Sequence, residues 1–156
     1  MSSTSGFATD VAGKKSLGSQ KALRVAIVYA RLALGIGFLS AVADRFVLWG
    51  AAGGRNVAWG SFDRFLIYLA KLNPYLPARG VPAMGWFVTA AEIVLGVALI
   101  FGIATRQVAF LSGVLLLTFA LGMTIGTGVK TALDASVFAA SAGAFLLALS
   151  CQHERV

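Results

Sequence analysis

Long apolar runs separated by short polar breaks dominate the pattern of the chain. Four such runs lie at residues 25–42, 84–102, 108–125 and 132–150. Each is close to the ~20 residues that a helix, rising about 1.5 Å per residue, needs to cross a bilayer. A soluble helix of that length would carry a polar face. The pattern therefore predicts an all-α integral membrane protein with a four-helix transmembrane bundle over residues 23–150.

A shorter element is predicted inside the longest connection, residues 50–83. Ser61 is a good N-cap for a helix over residues 61–72, and Pro74 stops it because proline disfavours helix at the residue before it. One apolar face of this helix is formed by Phe62, Phe65, Leu66 and Leu69. About 12 residues is too short to span, so we expect an amphipathic helix in the first external loop. It would lie in the membrane interface or cover the mouth of the bundle.

The two ends of the chain have the composition of tails. Residues 1–22 are rich in Ser, Gly, Thr, Ala and Lys without an apolar period, which predicts a disordered polar and basic segment. Residues 151–156 form a short polar C-terminal tail. Basic residues before the first span predict a cytoplasmic N-terminus, and four spans return the C-terminus to the same side. The basic residues near the spans number six on each side, so the first helix decides the orientation.

A cleaved signal peptide is the alternative reading of the first apolar run. Residues 41–43 read Ala-Val-Ala, which has the form of a signal-peptidase site. Against this, Arg31 interrupts the apolar region, and apolar character continues beyond it through residues 46–49. We expect the segment to be retained as a spanning helix.

The composition agrees with a membrane protein. Hydrophobic residues make up 58% of the chain and charged residues 12%, against about 25% charged in soluble domains. The mean hydropathy is +0.84. The net charge of +7 comes from basic residues spread along span edges, which favours contact with anionic lipid over nucleic acid. We expect the lipid bilayer as partner, no nucleic acid, and a location in the plasma (inner) membrane.

The chain has one cysteine, Cys151, and one histidine, His153. These residues cannot supply two His ligands to a haem, or the Cys and His set of an iron–sulfur or zinc site. We predict no metal site and no intrinsic cofactor. Any redox metal would therefore sit in a partner subunit.

Two ionisable residues are predicted deep inside the apolar layer. By helix rise, Arg31 lies roughly 10 Å from the inner surface and Glu92 roughly 15 Å. A charge at the centre of a span costs about 2.5–3.5 kcal/mol on insertion scales, so each needs a partner. We predict that the Arg31 guanidinium donates hydrogen bonds to Glu92. This pair would be either a functional site or a structural pin between two helices.

A second polar layer is predicted near the outer surface as solvated helix ends, formed by Asp44, Arg45, Lys130 and Asp134. Residues 131–134 also have the capping-box form [ST]-x-x-[DE]. We therefore predict that Asp134 lies in the first turn of the fourth span.

The first span carries a pattern that resembles a known family. It reads Arg31-x-x-x-Gly35-x-x-Phe38 and ends in Arg45. This is similar to the DoxX-like small membrane proteins, in which an Arg is followed by Gly and Phe, and then by Gly and Lys. Here Val42 stands where the second Gly would fall and Arg45 stands for the Lys.

The second span gives the stronger match to the same family. Glu92, Gly96, an apolar run, Gly102 and Arg106 follow in the family's order. The resemblance covers roughly residues 24–150. It implies a four-helix membrane bundle, and it implies a membrane subunit of a quinone-linked oxidoreductase, since members are associated with thiosulfate:quinone oxidoreductase and with complexes that resist oxidative stress.

The residues and the resemblance together lead to three hypotheses. The first is a membrane subunit that binds a quinone and serves a soluble or membrane redox partner, with Arg31, Glu92, Trp59 and Trp86 as binding candidates and Phe87 beside them at an aromatic mouth. The second is a small-molecule or proton transporter, because a buried ionisable pair can relay protons. The third is a non-catalytic assembly factor. The sequence assigns no catalytic residue and leaves open both enzyme status and oligomeric state, a homo-oligomer included.

Overall fold

The computed structural model describes the backbone of residues 4–151 and the side chains of residues 18–151. Its helices are α1 (Thr4–Arg45), α2 (Phe62–Leu72), α3 (Val81–Phe101), α4 (Thr105–Thr127), α5 (Val129–Asp134) and α6 (Val137–Ser150). A 3-10 turn at Ala78–Gly80 leads into α3. Over the part that the structure describes there is no strand, so the prediction of an all-α protein is confirmed.

Three stretches are long and apolar enough to cross a membrane. They are Gly18–Arg45 in α1, Ala78–Phe101, which joins the 3-10 turn to α3, and Thr105–Thr127, which is α4. Much of their surface is apolar and exposed, as lipid-facing helices require. The chain thus has the build of an integral membrane protein, as predicted.

The fourth apolar run differs from its prediction. It forms two helices, because Ser136 takes a left-handed conformation (φ 55°) between α5 and α6. The 14 residues of α6 extend about 21 Å, short of the ~30 Å hydrocarbon core. The predicted single helix over residues 132–150 is therefore wrong, and a fourth complete span is not visible in α6 alone.

The predicted capping box at residues 131–134 is also wrong. Gly128 precedes the first turn of α5, and Asp134 lies in its last turn. The Thr131 hydroxyl donates backwards to the Thr127 carbonyl at 3.3 Å. The [ST]-x-x-[DE] spacing is short, so it also arises by chance within a helix, where Lys130 can pair with Asp134 one turn on.

The N-terminal segment differs too. The sequence predicts a disordered tail over residues 1–22, whereas α1 begins at Thr4. The segment contains no proline, and adding residues to an existing helix is far easier than nucleating one, so α1 extends into it. Residues 1–3 and 152–156 lie outside the described residues. Most of the predicted C-terminal tail, residues 151–156, therefore lies outside them as well.

The bundle is built from two antiparallel helix pairs. In the first, α1 packs against α3 where Gly35 and Gly96 let the backbones approach. In the second, α4 packs against α6, with Phe145 over Gly113 and the Ser141 hydroxyl donating to the Gly113 carbonyl at 2.9 Å. Contacts between α1 and α6 and between α3 and α4 join the two pairs.

The amphipathic helix is confirmed as α2. The Ser61 hydroxyl accepts a hydrogen bond from the Arg64 N–H at 3.3 Å, which satisfies one free donor of the first turn. The helix ends at Leu72, just before Pro74. Its buried face, Phe65, Leu69 and Leu72, packs on the bundle against α3 and α4. This packing agrees with the predicted cover over the bundle, and the placement in the membrane interface stays a prediction.

Candidate functional site

The last residue of α1, Arg45, is only 2% exposed and forms the centre of the candidate site. Its Nη2 donates to Glu92 Oε1 at 2.9 Å, and its Nη1 donates to Thr89 Oγ1 at 2.9 Å. A second ion contact joins Arg45 Nη1 to Glu92 Oε2. Thr89 and Glu92 lie three residues apart on α3, so both face the same guanidinium.

Two aromatic rings enclose the same guanidinium. Arg45 Cζ lies 3.7 Å from the centroid of the Phe65 ring, and 5.3 Å from that of Trp59. A desolvated cation over a ring face is attracted by the ring quadrupole. The apolar face of α2 thus contributes directly to holding the charge.

Asp44, beside Arg45, fixes the loop that covers the site. Its carboxylate accepts hydrogen bonds from the backbone N–H groups of Trp59 at 2.7 Å and Ala58 at 3.3 Å. These bonds place the Trp59 ring against Arg45. Asp44 and Arg45 are both buried, so the prediction that they are solvated helix ends is wrong.

The predicted Arg31–Glu92 pair is wrong as well. Arg31 instead donates from Nε to the Leu99 carbonyl at 2.9 Å and from Nη2 to the Ile100 carbonyl at 3.1 Å. These carbonyls belong to the last turn of α3, where the N–H four residues on is no longer helical. The Leu99 carbonyl also accepts a hydrogen bond from the Gly102 N–H at 3.2 Å. Arg31 is therefore a cap at the C-terminus of α3, where the helix dipole also favours a cation.

The predicted depths of Arg31 and Glu92 are both counted from the inner surface, with Arg24 taken as level with Gly102. In the antiparallel α1–α3 pair, Arg31 lies level with the end of α3, while Arg45 reaches Thr89. Thr89 lies eight residues inside α3, or about 12 Å from its start. Helix α1 therefore ends inside the protein, under the loop and α2, which the periodicity of α1 alone cannot reveal.

A cavity of about 580 Å3, here called the Arg45 cavity, adjoins this cluster. It lies between α1, α2, α4 and α6, and its surface is mainly apolar. Arg45 Nε is buried and finds no acceptor among the described residues. The residues that line the cavity include Phe38, Arg45, Trp59, Tyr68, Glu92 and Phe119.

Tyr68 supplies a second polar group to the Arg45 cavity. Burial raises the pKa of its phenol, and a side-chain hydrogen bond with Thr127 acts in the opposite direction. The hydroxyl therefore stays protonated at physiological pH and can act as donor or acceptor.

The other predicted binding candidates do not lie together. Trp59 lines the Arg45 cavity, as a ligand-binding residue should. Trp86 and Phe87 are exposed on the outside, at 57% and 71%. The Trp86 ring packs against Phe62 in a tilted arrangement, with ring centroids 4.6 Å apart. The predicted aromatic mouth is thus reduced to Trp59.

Sequence reasoning missed Arg45, Thr89 and Phe65 as parts of the site. Two signals were present: Thr89 shares the face of Glu92 at i, i+3, and Phe65 lies on the apolar face of α2. Neither shows which cation Glu92 meets. That information lies in how far α1 and α3 overlap.

Within residues 18–151 no group of three or more His, Cys, Asp or Glu side chains could hold a metal ion. No protein-family model matches the chain, and neither a curated protein nor a solved structure matches it significantly. The resemblance to the DoxX-like family thus rests on the sequence motifs.

Proposed function

We propose that the protein is a membrane subunit that binds a quinone in the Arg45 cavity and serves a redox partner. The observation that carries the proposal is a buried Arg45 Nε–H without an acceptor beside a cavity of about 580 Å3. Small-molecule sites are typically apolar cavities of this size with a few placed polar groups. A quinone carbonyl supplies the missing acceptor.

The surroundings of Arg45 suit a neutral, flat ligand. Glu92 balances the arginine charge, so an anionic ligand would gain little from it. Trp59 offers a ring face within the cavity, and Tyr68 offers a second hydrogen-bonding group. The chain has one Cys and one His, so it can supply few ligands to a redox metal. We therefore assign electron transfer to a partner subunit.

We further propose that α5 and α6 together make a fourth membrane crossing. Non-helical backbone is tolerated at membrane depth where it lines a cavity, and Ala135, Val137 and Ala140 at the break line the Arg45 cavity. The result is a four-helix bundle with both termini on the cytoplasmic side. Labelling of single cysteines placed at Ser3 and Arg55, in a Cys151→Ser background in intact cells, tests this: only the Arg55 position should react with an impermeant reagent.

Quinone binding can be measured by the fluorescence of Trp59, because it is the tryptophan that lines the Arg45 cavity. In a Trp49→Phe, Trp86→Phe variant in nanodiscs, a water-soluble quinone such as menadione should quench the remaining fluorescence saturably. Arg45→Lys and Glu92→Gln should weaken the apparent affinity about tenfold or more, since a charge-assisted hydrogen bond is worth about 1.5–3 kcal/mol.

Lys130→Ala is the matched control, because Lys130 is a strongly exposed cation that does not line the cavity. It should leave the quenching curve unchanged. Quenching that rises linearly in all variants would reflect partition into lipid and would contradict the proposal. If the protein binds no quinone but still captures a redox partner in a pull-down, the assembly-factor hypothesis is favoured instead.

A further inference from the structure

A second apolar space lies on another side of the bundle, between α3 and α4. It has a volume of about 580 Å3 and is here called the α3–α4 groove. It exists because α3 packs mainly on α1 and α4 mainly on α6, so the two helices contact each other much less, although only a short link joins them. Its walls include Met84, Ala90, Val94, Leu111, Val114 and Phe119.

The α3–α4 groove offers hydrocarbon and almost nothing else. Its polar side chains are Asn73 and Thr118, and both are engaged. The Asn73 amide donates to the Leu69 carbonyl at 3.0 Å and accepts from the Tyr75 hydroxyl at 3.1 Å. The Thr118 hydroxyl donates to the Val114 carbonyl of its own helix at 2.9 Å. A polar ligand group would find few partners there.

The groove and the Arg45 cavity share a wall. Leu69, Leu72 and Phe119 line both spaces. All three are apolar side chains, and Phe119 is only half-buried. Rotation of the Phe119 side chain would join the two spaces without movement of a helix.

We infer that the ligand of the Arg45 cavity carries a long apolar tail, and that this tail passes Phe119 and lies in the α3–α4 groove. The inference rests on the proposed function and specifies its ligand as a lipid-soluble, long-tailed quinone. From Met84 to Leu95 the groove follows α3 for about 16 Å. It opens at the outside of the bundle, where Ala90, Val94 and Leu111 are exposed, so the tail end can reach lipid.

The test compares a tailless quinone, menadione, with a menaquinone that carries an isoprenoid tail of several units, on the intact protein in nanodiscs. The long-tailed quinone should bind about tenfold or more tightly, because each buried CH2 favours binding. Ala90→Phe fills the groove and should abolish this advantage while menadione still binds as in wild type. Ala142→Phe, at an exposed alanine of α6 that lines neither space, should keep it.

The outcomes separate the inference from the proposed function. Menadione binding with no tail preference, or with a preference that Ala90→Phe leaves intact, overturns the inference alone and indicates a groove filled by membrane lipid only. Failure of both quinones to bind overturns both. If Ala90→Phe unfolds, a photoreactive group at the tail end decides on the wild type: crosslinks should map to α3 and α4, and crosslinks confined to α1 or α6 contradict the route.

Discussion

Helix α1 carries two arginines inside the apolar layer, and the protein uses them differently. Arg31 is half-buried and binds backbone carbonyls of Leu99 and Ile100. Arg45 is fully buried and binds the side chains of Glu92 and Thr89. Both satisfy the need for partners in lipid, but the Arg45 cavity is lined by Arg45 and not by Arg31.

The contacts of the two arginines distinguish a structural cation from a binding-site cation in a small bundle. A cation that meets only helix-terminal carbonyls completes the hydrogen bonding that the backbone needs anyway. A cation that is paired with a carboxylate, ringed by aromatics and still left with a free N–H holds capacity for a ligand.

Glu92→Ala should destabilise the protein most, by about 3–5 kcal/mol in soluble analogies, because it strands the buried Arg45 charge. Entry of water into the layer softens the figure in a membrane. Reversible unfolding in mixed detergent micelles measures it. The variant should also lose quinone binding.

A double-mutant cycle identifies the partner of Glu92. Arg45→Met with Glu92→Leu should recover much of the loss, because a well-packed apolar pair can replace a buried ion pair. Arg31→Met with Glu92→Leu should give additive losses. Coupling in the second cycle rather than the first would contradict the pairing seen in the structure.

Arg31→Met should cost about 2–3 kcal/mol, because two charge-assisted hydrogen bonds to the end of α3 are lost. Menadione affinity should stay at the wild-type value, since Arg31 does not line the Arg45 cavity. Unfolding and Trp59 quenching on the same preparation give both numbers. A large loss of affinity with little loss of stability would place Arg31 in the site after all.

Gly102→Ala should cost about 1–2 kcal/mol from the left-handed backbone at φ 73°, and more because the added Cβ would meet the Arg31 guanidinium. In an Arg31→Met background only the backbone cost remains, so the two changes should be less than additive. Strict additivity in unfolding experiments would show that Gly102 is required for its conformation alone.

Much of the fold follows from the sequence. The long apolar runs predicted the three long helices, and the period of Phe62, Phe65 and Leu69 predicted α2 with its Ser61 cap. These features are local, since one helix's length and periodicity determine them. The break at Ser136 is also local but has no strong signal, because serine takes the left-handed conformation without glycine's preference for it.

The candidate site was predicted only in part, because it depends on how helices overlap. The local sequence around Glu92 is enough to predict a buried carboxylate, and that around Trp59 is enough to suggest a cavity residue. The cation could not be predicted in this way, because both Arg31 and Arg45 lie on α1 and the depth estimates took Arg24 and Gly102 as level. Only the position of α2 and the Asp44-bound loop over the end of α1 makes Arg45 the buried one.

Thr89→Val should cost about 1 kcal/mol, since Arg45 Nη1 loses one acceptor but keeps Glu92. Thr118→Val is the control of the same chemistry, because the Thr118 hydroxyl bonds only within its own helix and is exposed. Menadione affinity should fall in the first variant and stay constant in the second. Equal affinities in both would mean that Thr89 does not orient the guanidinium for the ligand.

The smallest effect belongs to the exposed ion pair of α5. Lys130 and Asp134 are one helical turn apart with side chains 85% and 64% exposed, so water competes with their attraction and salt screens it. Lys130→Ala should change stability by about 0.3–0.5 kcal/mol at most, as exposed i, i+4 pairs do. The residual effect should vanish in high salt, whereas the loss caused by Glu92→Ala should persist, because no ions reach that layer to screen it. If the stability losses of both variants depend on salt concentration in the same way, the Arg45–Glu92 pair is open to water. The distinction between a buried site and a solvated helix pair then fails.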